Sequence, residues 1–119
     1  MPDDTVLIAG DLGFIAVWAK GDPGFGAYID NLHVRPERRS GGLGRRLLGE
    51  AMRRVAGRGE SGAYLWVFDD NARAIEFYRW LGGEIVEGGF DQIDGAEVAH
   101  SRIVWRDTAQ LADACALTP

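Results

Sequence analysis

The twelve residues Arg35-Pro36-Glu37-Arg38-Arg39-Ser40-Gly41-Gly42-Leu43-Gly44-Arg45-Arg46 hold five arginines and three glycines, just ahead of a long apolar repeat. Glycines let an anion approach the main chain, the N–H groups at a helix start carry the positive end of its dipole, and arginines add charge-assisted hydrogen bonds. Together they point to a small phosphate-bearing ligand; the plainer alternative is that Gly41 and Gly42 only make a tight turn. Two nucleotide motifs are excluded. A P-loop needs Gly-Lys followed by Ser or Thr, where this chain has Gly44-Arg45-Arg46, and the dinucleotide fingerprint needs a small residue where Leu47 stands. A second pair, Asn71 and Tyr78, is spaced seven apart, about two turns at 3.6 residues per turn, so that a carboxamide and a phenol share one helix face. For Tyr78 the alternative is a core aromatic, since Ile75, Phe77 and Leu81 surround it. His33 and His100 have no partner at ligand spacing, so no metal is expected. The single cysteine, Cys115, excludes an internal disulfide framework.

These residues need elements to hold them. Val6-Leu7-Ile8-Ala9 and Phe14 to Ala19, around the turn Gly10 to Gly13, read as a strand hairpin. A third strand over 27–34 alternates but skips a beat between Ile29 and Leu32, which predicts a bulge, and Pro36 ends it. Leu43, Leu47, Leu48, Ala51, Met52, Val55 and Ala56 recur at helical spacing until Gly57 and Gly59. The apolar run Ala63 to Phe68 predicts an interior strand, and Asp69-Asp70-Asn71 supplies capping chemistry for a second helix that Gly82-Gly83 stops. Ile85-Val86 and Val98 to Trp105 add two strands around the turn Asp94-Gly95, and the tail after Asp107 reads as a frayed end or a short helix. The order is β-β-β-α-β-α-β-β in one domain over residues 1–119.

Thirteen basic against eighteen acidic side chains give a net charge of −5, opposite to the footprint of a nucleic-acid binder. No apolar run approaches the roughly 18 residues that would span a bilayer, and Met1-Pro2-Asp3-Asp4 does not open a secretory signal, so a cytoplasmic location with no nucleic-acid or membrane partner is expected.

The motif Val34-x-Pro36, then Arg39-x-x-Gly42-x-Gly44, together with the segment from Leu65-Trp66-Val67 through Asn71-Ala72-Arg73-Ala74-Ile75-Glu76-Phe77-Tyr78 to Gly83, resembles the GNAT superfamily of acetyl-CoA-dependent N-acetyltransferases. The resemblance covers about residues 27 to 90. It implies an α/β (α+β) acyl-CoA N-acyltransferase fold with a mixed, mostly antiparallel central sheet and flanking helices. Acetyl-CoA would be the cosubstrate, with no metal. The main chain at Leu32, His33 and Val34 would pair with the pantetheine arm, and Arg39, Ser40, Gly41, Gly42, Leu43, Gly44 and Arg45 would cradle the pyrophosphate. Asn71 would bind the pantetheine arm, and Tyr78 would protonate the departing CoA thiolate while a strand N–H near Val34 met the oxyanion. The side chain of His33 is a lesser candidate for touching the acceptor. The implied reaction is direct attack of a primary amine, from a small amine or amino-acid-like acceptor, on the thioester. The alternative is a non-catalytic CoA-binding regulatory or interaction module.

The chain also departs from the family. Tyr28 and Trp66 stand where many members carry glutamates that take up the amine's proton; Asp30 is the substitute candidate, with Asp69 and Asp70 reading as helix-start residues. Members usually carry a strand and one or two helices before the hairpin, and apolar surface left uncovered without them would favour a homodimer.

Overall fold

The computed structural model describes residues 4–35 and 42–116. Six strands and three helices follow in the order β1 (Thr5–Ala9), β2 (Gly13–Trp18), β3 (Ala27–Val34), α1 (Leu43–Gly57), β4 (Ala63–Phe68), α2 (Ala72–Trp80), β5 (Glu84–Ile93), β6 (Ala96–Trp105) and α3 (Thr108–Ala116). The strands form one mixed sheet in the order β1-β2-β3-β4-β6-β5, antiparallel at every pairing except β3 with β4. The α+β fold expected of the sequence is the fold observed, and the tail after Asp107 is the helix of the two alternatives.

Val17 pairs with Ile29 but Ala16 pairs with Asn31, which leaves Asp30 as the extra residue of a bulge on β3. An extra residue reverses the parity of a strand. Ala27 and Ile29 therefore point to the core on one side of the bulge, and Leu32 and Val34 on the other. Without the bulge Leu32 and Val34 would be turned out to solvent.

The parallel ladder of β3 and β4 consists of two pairs, Ala27 with Ala63 and Tyr28 with Tyr64. It begins at a close approach of the two backbones, where Ala27 N–H donates to Gly62 O at 3.0 Å. A Cβ on Gly26, whose φ is +95°, would lie 2.2 Å from that same oxygen, so only glycine fits there. From Ile29 onward no residue of β4 pairs with β3 among the described residues, and the strands open into a fork.

One face of the sheet carries the helices. Leu48 and Met52 of α1, both fully buried, join Ile15, Ile29, Leu65 and Ile103 in a single core, to which α3 adds Leu111 and Cys115. Truncating a side chain as buried as Leu48 to Ala costs about 2–5 kcal/mol. Gly49 lets α3 approach α1, since a Cβ there would lie 2.7 Å from Cys115 Cβ. Cys115 is thus a packing residue, and burial pushes its thiol up to about 11.

No helix covers the other face among the described residues. Val6 and Ile8 stand there 52% and 71% exposed. Tyr64 is buried instead by aromatic neighbours, Phe25 at 6.0 Å between ring centroids and Tyr28 at 5.1 Å.

Candidate active site

The fork between β3 and β4 meets one helix start on each side. On the β3 side, Gly42 caps α1 in the left-handed region, φ +77°, with no side-chain cap. Arg46 N–H donates to Gly42 O at 3.0 Å, so the helix's own ladder begins there and the N–H groups of Leu43 and Gly44 have no acceptor within the helix. The first turn contains no acidic residue. It carries Arg45, half-buried, and Arg46, exposed, which is unfavourable beside the positive end of a dipole unless an anion is present. Gly44 lies over the end of β3: a Cβ there would sit in ordinary contact, 3.5 Å from Val34 Cγ2.

Leu32, His33 and Val34 all lie beyond the last rung of the parallel ladder. The side chains of Leu32 and Val34 belong to the core, while His33 is exposed on the opposite face with its ring 5.7 Å from that of Phe14. Arg39, Ser40 and Gly41 lie outside the described residues. Gly42, Leu43, Gly44 and Arg45 are brought to the end of β3.

On the β4 side, Asn71 caps α2. Its side chain accepts from Ala74 N–H at 3.3 Å, and its own N–H donates to Phe68 O at 3.0 Å, three residues beyond the strand. Asn71 is exposed and Tyr78, at the far end of the helix, is half-buried. The Tyr78 ring packs against Phe77 at 5.3 Å and meets Trp105 edge-on at 5.8 Å. Burial pushes its phenol up to about 12. The site residues thus form two groups, one at the end of β3 and one after β4, with the fork between them.

A third group lies on the face without helices; sequence reasoning named its Tyr28, Asp30 and Trp66 but missed the partners that gather around them, Trp18, Asp91, His100 and Arg102. Trp18 Nε1 donates to Asp30 Oδ2 at 2.9 Å. His100 Nδ1 lies 2.9 Å from Asp91 Oδ2, and the His100 ring is 4.3 Å from Trp66. Tyr28 lies within reach of both carboxylates: burial raises its phenol pKa most, followed by the charge and hydrogen bond of Asp30, with Tyr64 and Asp91 adding to it. Beside them Arg102 is enclosed by three rings, its guanidinium carbon 4.4 Å from the Phe25 centroid, 4.5 Å from Trp66 and 5.1 Å from Tyr64. It pairs with Asp22 at 3.1 Å and Glu87 at 3.0 Å, so its charge is compensated on the spot. The Gly24 N–H and then Arg102 hold the Asp22 carboxyl below its usual range. These partners are up to 80 residues apart, and no spacing in the sequence announces them.

Among the described residues no three His, Cys, Asp or Glu side chains are grouped as metal ligands, and no helix is long and apolar enough to cross a membrane.

The fold has counterparts among solved structures. The Arabidopsis thaliana NAA60 structure in complex with acetyl-CoA is 26% identical and superposes with a TM-score of 0.66 over 79% of this chain and 64% of that one. A nourseothricin acetyltransferase structure is 28% identical, with a TM-score of 0.65 over 78% of this chain and 56% of that one. The ribosomal-protein-S18-alanine N-acetyltransferase from Escherichia coli shares the fold, at 21% identity and a TM-score of 0.70 over 87% of this chain and 69% of that one. The chain spans less than two thirds of the length of the first two. No curated protein sequence matches it. The model of the Acetyltransferase (GNAT) family matches residues 8–82, more than half of the chain, and this protein belongs to that family.

Proposed function

We propose that the protein is an N-acetyltransferase that moves the acetyl group of acetyl-CoA to a primary amine by direct attack on the thioester. The observation that carries this reading is the fork, a sheet opened after two rungs with an uncapped, arginine-bearing helix start at the end of one strand. The strand edge suits an extended amide-bearing arm, and the helix start suits a pyrophosphate. In this reading the main chain at Leu32, His33 and Val34 holds the arm together with Asn71, and residues Arg39 through Arg45 hold the phosphates. Solved relatives carry acetyl-CoA, as NAA60 does.

The amine attacks the acetyl carbonyl carbon, the C–S bond breaks, and the sulfur departs as thiolate unless a proton reaches it. Tyr78 supplies that proton. A phenol at about 12 is fully protonated at neutral pH and so always loaded, and the burial that raises it disfavours a neighbouring thiolate for the same reason.

Asp30 and Asp91, both close enough to Tyr28 for their charges to act on it, give the acceptor side a negative potential. This favours a small cationic amine or amino-acid-like acceptor. The relatives divide on this point, since their names include an antibiotic and a ribosomal protein. Asp30 is the candidate to accept the ammonium proton.

We read residues 1–119 as one catalytic domain, cytoplasmic, with the uncovered face bearing Val6 and Ile8 as the surface of a homodimer. Tyr28 and Trp66, standing where family carboxylates are expected, favour a second reading, a CoA-binding module without turnover.

Calorimetric titration with acetyl-CoA and CoA, followed by thiol release with spermidine, tyramine, lysine and an alanyl peptide, tests both. Binding with turnover supports the transferase and binding alone the module. Absence of binding overturns the assignment of the fork.

A further inference from the structure

We propose that Ser101 and Trp105 of β6 are positioning residues that suspend α2 at its two ends, Ser101 setting Asn71 and Trp105 setting Tyr78. The inference rests on the reading of Asn71 and Tyr78 given above.

No residue within α2 is fully buried; Ala74, Ile75, Phe77 and Tyr78 pack only partly against the core, so the contacts at the helix ends weigh more in where it sits. At the start, Ser101 Oγ donates to Asp69 Oδ1 at 2.6 Å, and Asp69 N–H donates to Ala99 O at 2.9 Å, which ties the turn carrying Asn71 to β6. At the finish, Trp105 Nε1 donates to Leu81 O at 3.3 Å and the indole meets the Tyr78 ring at an interplanar angle of 81°. Gly83 makes room for that indole. A Cβ there would lie 3.0 Å from Trp105 Cζ2 and 2.5 Å from Ile103 Cγ2, while Gly83 N–H donates to Tyr78 O at 3.0 Å.

The spacing suits the task. Ser101, Ile103 and Trp105 alternate onto the helix-bearing face, and four residues of strand rise about 13 Å. A nine-residue helix such as α2 is about 13.5 Å long. One strand therefore reaches both helix ends with two side chains, and it is the strand already paired with β4 along one side of the fork.

The test uses Ser101→Ala, Asp69→Ala, Asp69→Asn, Trp105→Phe and Tyr78→Phe in the full chain. Amide exchange of Ile75 and Leu81 is read against that of α1, together with CoA affinity and kcat for the amine in the panel that turns over fastest. We expect Ser101→Ala and Asp69→Ala to speed exchange in α2 at least tenfold with α1 unchanged, and to weaken CoA binding about tenfold. Asp69→Asn keeps the acceptor oxygen and restores both. Trp105→Phe keeps a ring but loses the bond to Leu81 O, and should lower kcat about tenfold or more with CoA affinity within threefold. Unchanged exchange in α2, or equal loss of protection in α1 and α2, overturns the proposal. If Tyr78→Phe turns over like wild type, the reading of Tyr78 fails, while the exchange and CoA arms still decide the suspension.

Discussion

Tyr28 and Tyr64 form the last rung of the parallel ladder, and their rings stack at 5.1 Å between centroids with an interplanar angle of 18°. Tyr64 also anchors the preceding loop, its hydroxyl accepting from Asp22 N–H at 2.9 Å. The sheet is thus closed by an aromatic pair immediately before it opens. Removing the buried ring with Tyr64→Ala should destabilise the fold by about 3–5 kcal/mol, while Tyr64→Phe, which loses only the acceptor, should cost about 1 kcal/mol. Urea unfolding of both variants measures the difference.

Tyr78→Phe is expected to lower kcat by about 10²–10⁴ and leave CoA affinity unchanged, because only the transferable proton is removed. Steady-state kinetics beside calorimetric CoA titration checks this. Wild-type turnover would remove Tyr78 from the mechanism.

Gly42→Val places a β-branched residue at φ +77°, where such residues are outliers, and puts a side chain where the main chain would meet phosphate. We expect CoA binding to weaken at least about tenfold and stability to fall by about 1–2 kcal/mol. Calorimetry and thermal unfolding separate the two effects, and undiminished affinity would refute the phosphate assignment.

The carboxylates beside Tyr28 predict a charge-dependent acceptor site. Asp30→Asn and Asp91→Asn should each raise KM for the multiply charged spermidine about three- to tenfold and reduce its sensitivity to salt, with a smaller rise in KM for the singly charged tyramine, and Asp30→Asn, which removes the candidate proton acceptor, should also lower kcat. Equal effects on both acceptor types would argue against the acidic groove.

Alkali should weaken the fold through two acids that burial keeps protonated, Cys115 in the core and the half-buried Tyr78. Burial holds Tyr78 at about 12, above its ordinary value of 10.0, and Cys115 at about 11, above 9.0. Each group's contribution is complete below its unfolded value and is lost as pH rises through its folded one, because only the unfolded chain ionises in between. The windows are pH 9 to 11 for Cys115 and pH 10 to 12 for Tyr78, worth at most about 2–3 kcal/mol each. Urea midpoints from pH 8 to 11.5 follow the loss, and Tyr78→Phe should flatten its upper part.

Much of this architecture was legible in local pattern. The seven apolar positions of α1 repeat at helical spacing, and the broken beat between Ile29 and Leu32 falls where Asp30 drops out of the ladder. Both signals are local, set by side-chain periodicity against one buried face. The brevity of the β3 and β4 ladder was not legible, because Ala63 to Phe68 reads as a strand enclosed on both edges, and pairing length is decided by the partner's path. The enclosure of Arg102 by Phe25, Tyr64 and Trp66, and the placing of Asp91 near Tyr28, were hidden for the same reason. They depend on where the β5–β6 hairpin comes to rest, which no spacing within either strand records.

The two-rung ladder divides the sheet into two three-stranded leaves, one of β1, β2 and β3 and the other of β4, β6 and β5, joined along only one corner. The chain then crosses back: α3 leaves the second leaf and packs on α1, which follows the first. The arrangement has the mechanics of a clothes peg, with jaws at the fork and a helical spring behind them. A ligand bound in the jaws as proposed would stand in for the rungs that β3 and β4 do not form among the described residues, and so would join the two leaves as well as touch them.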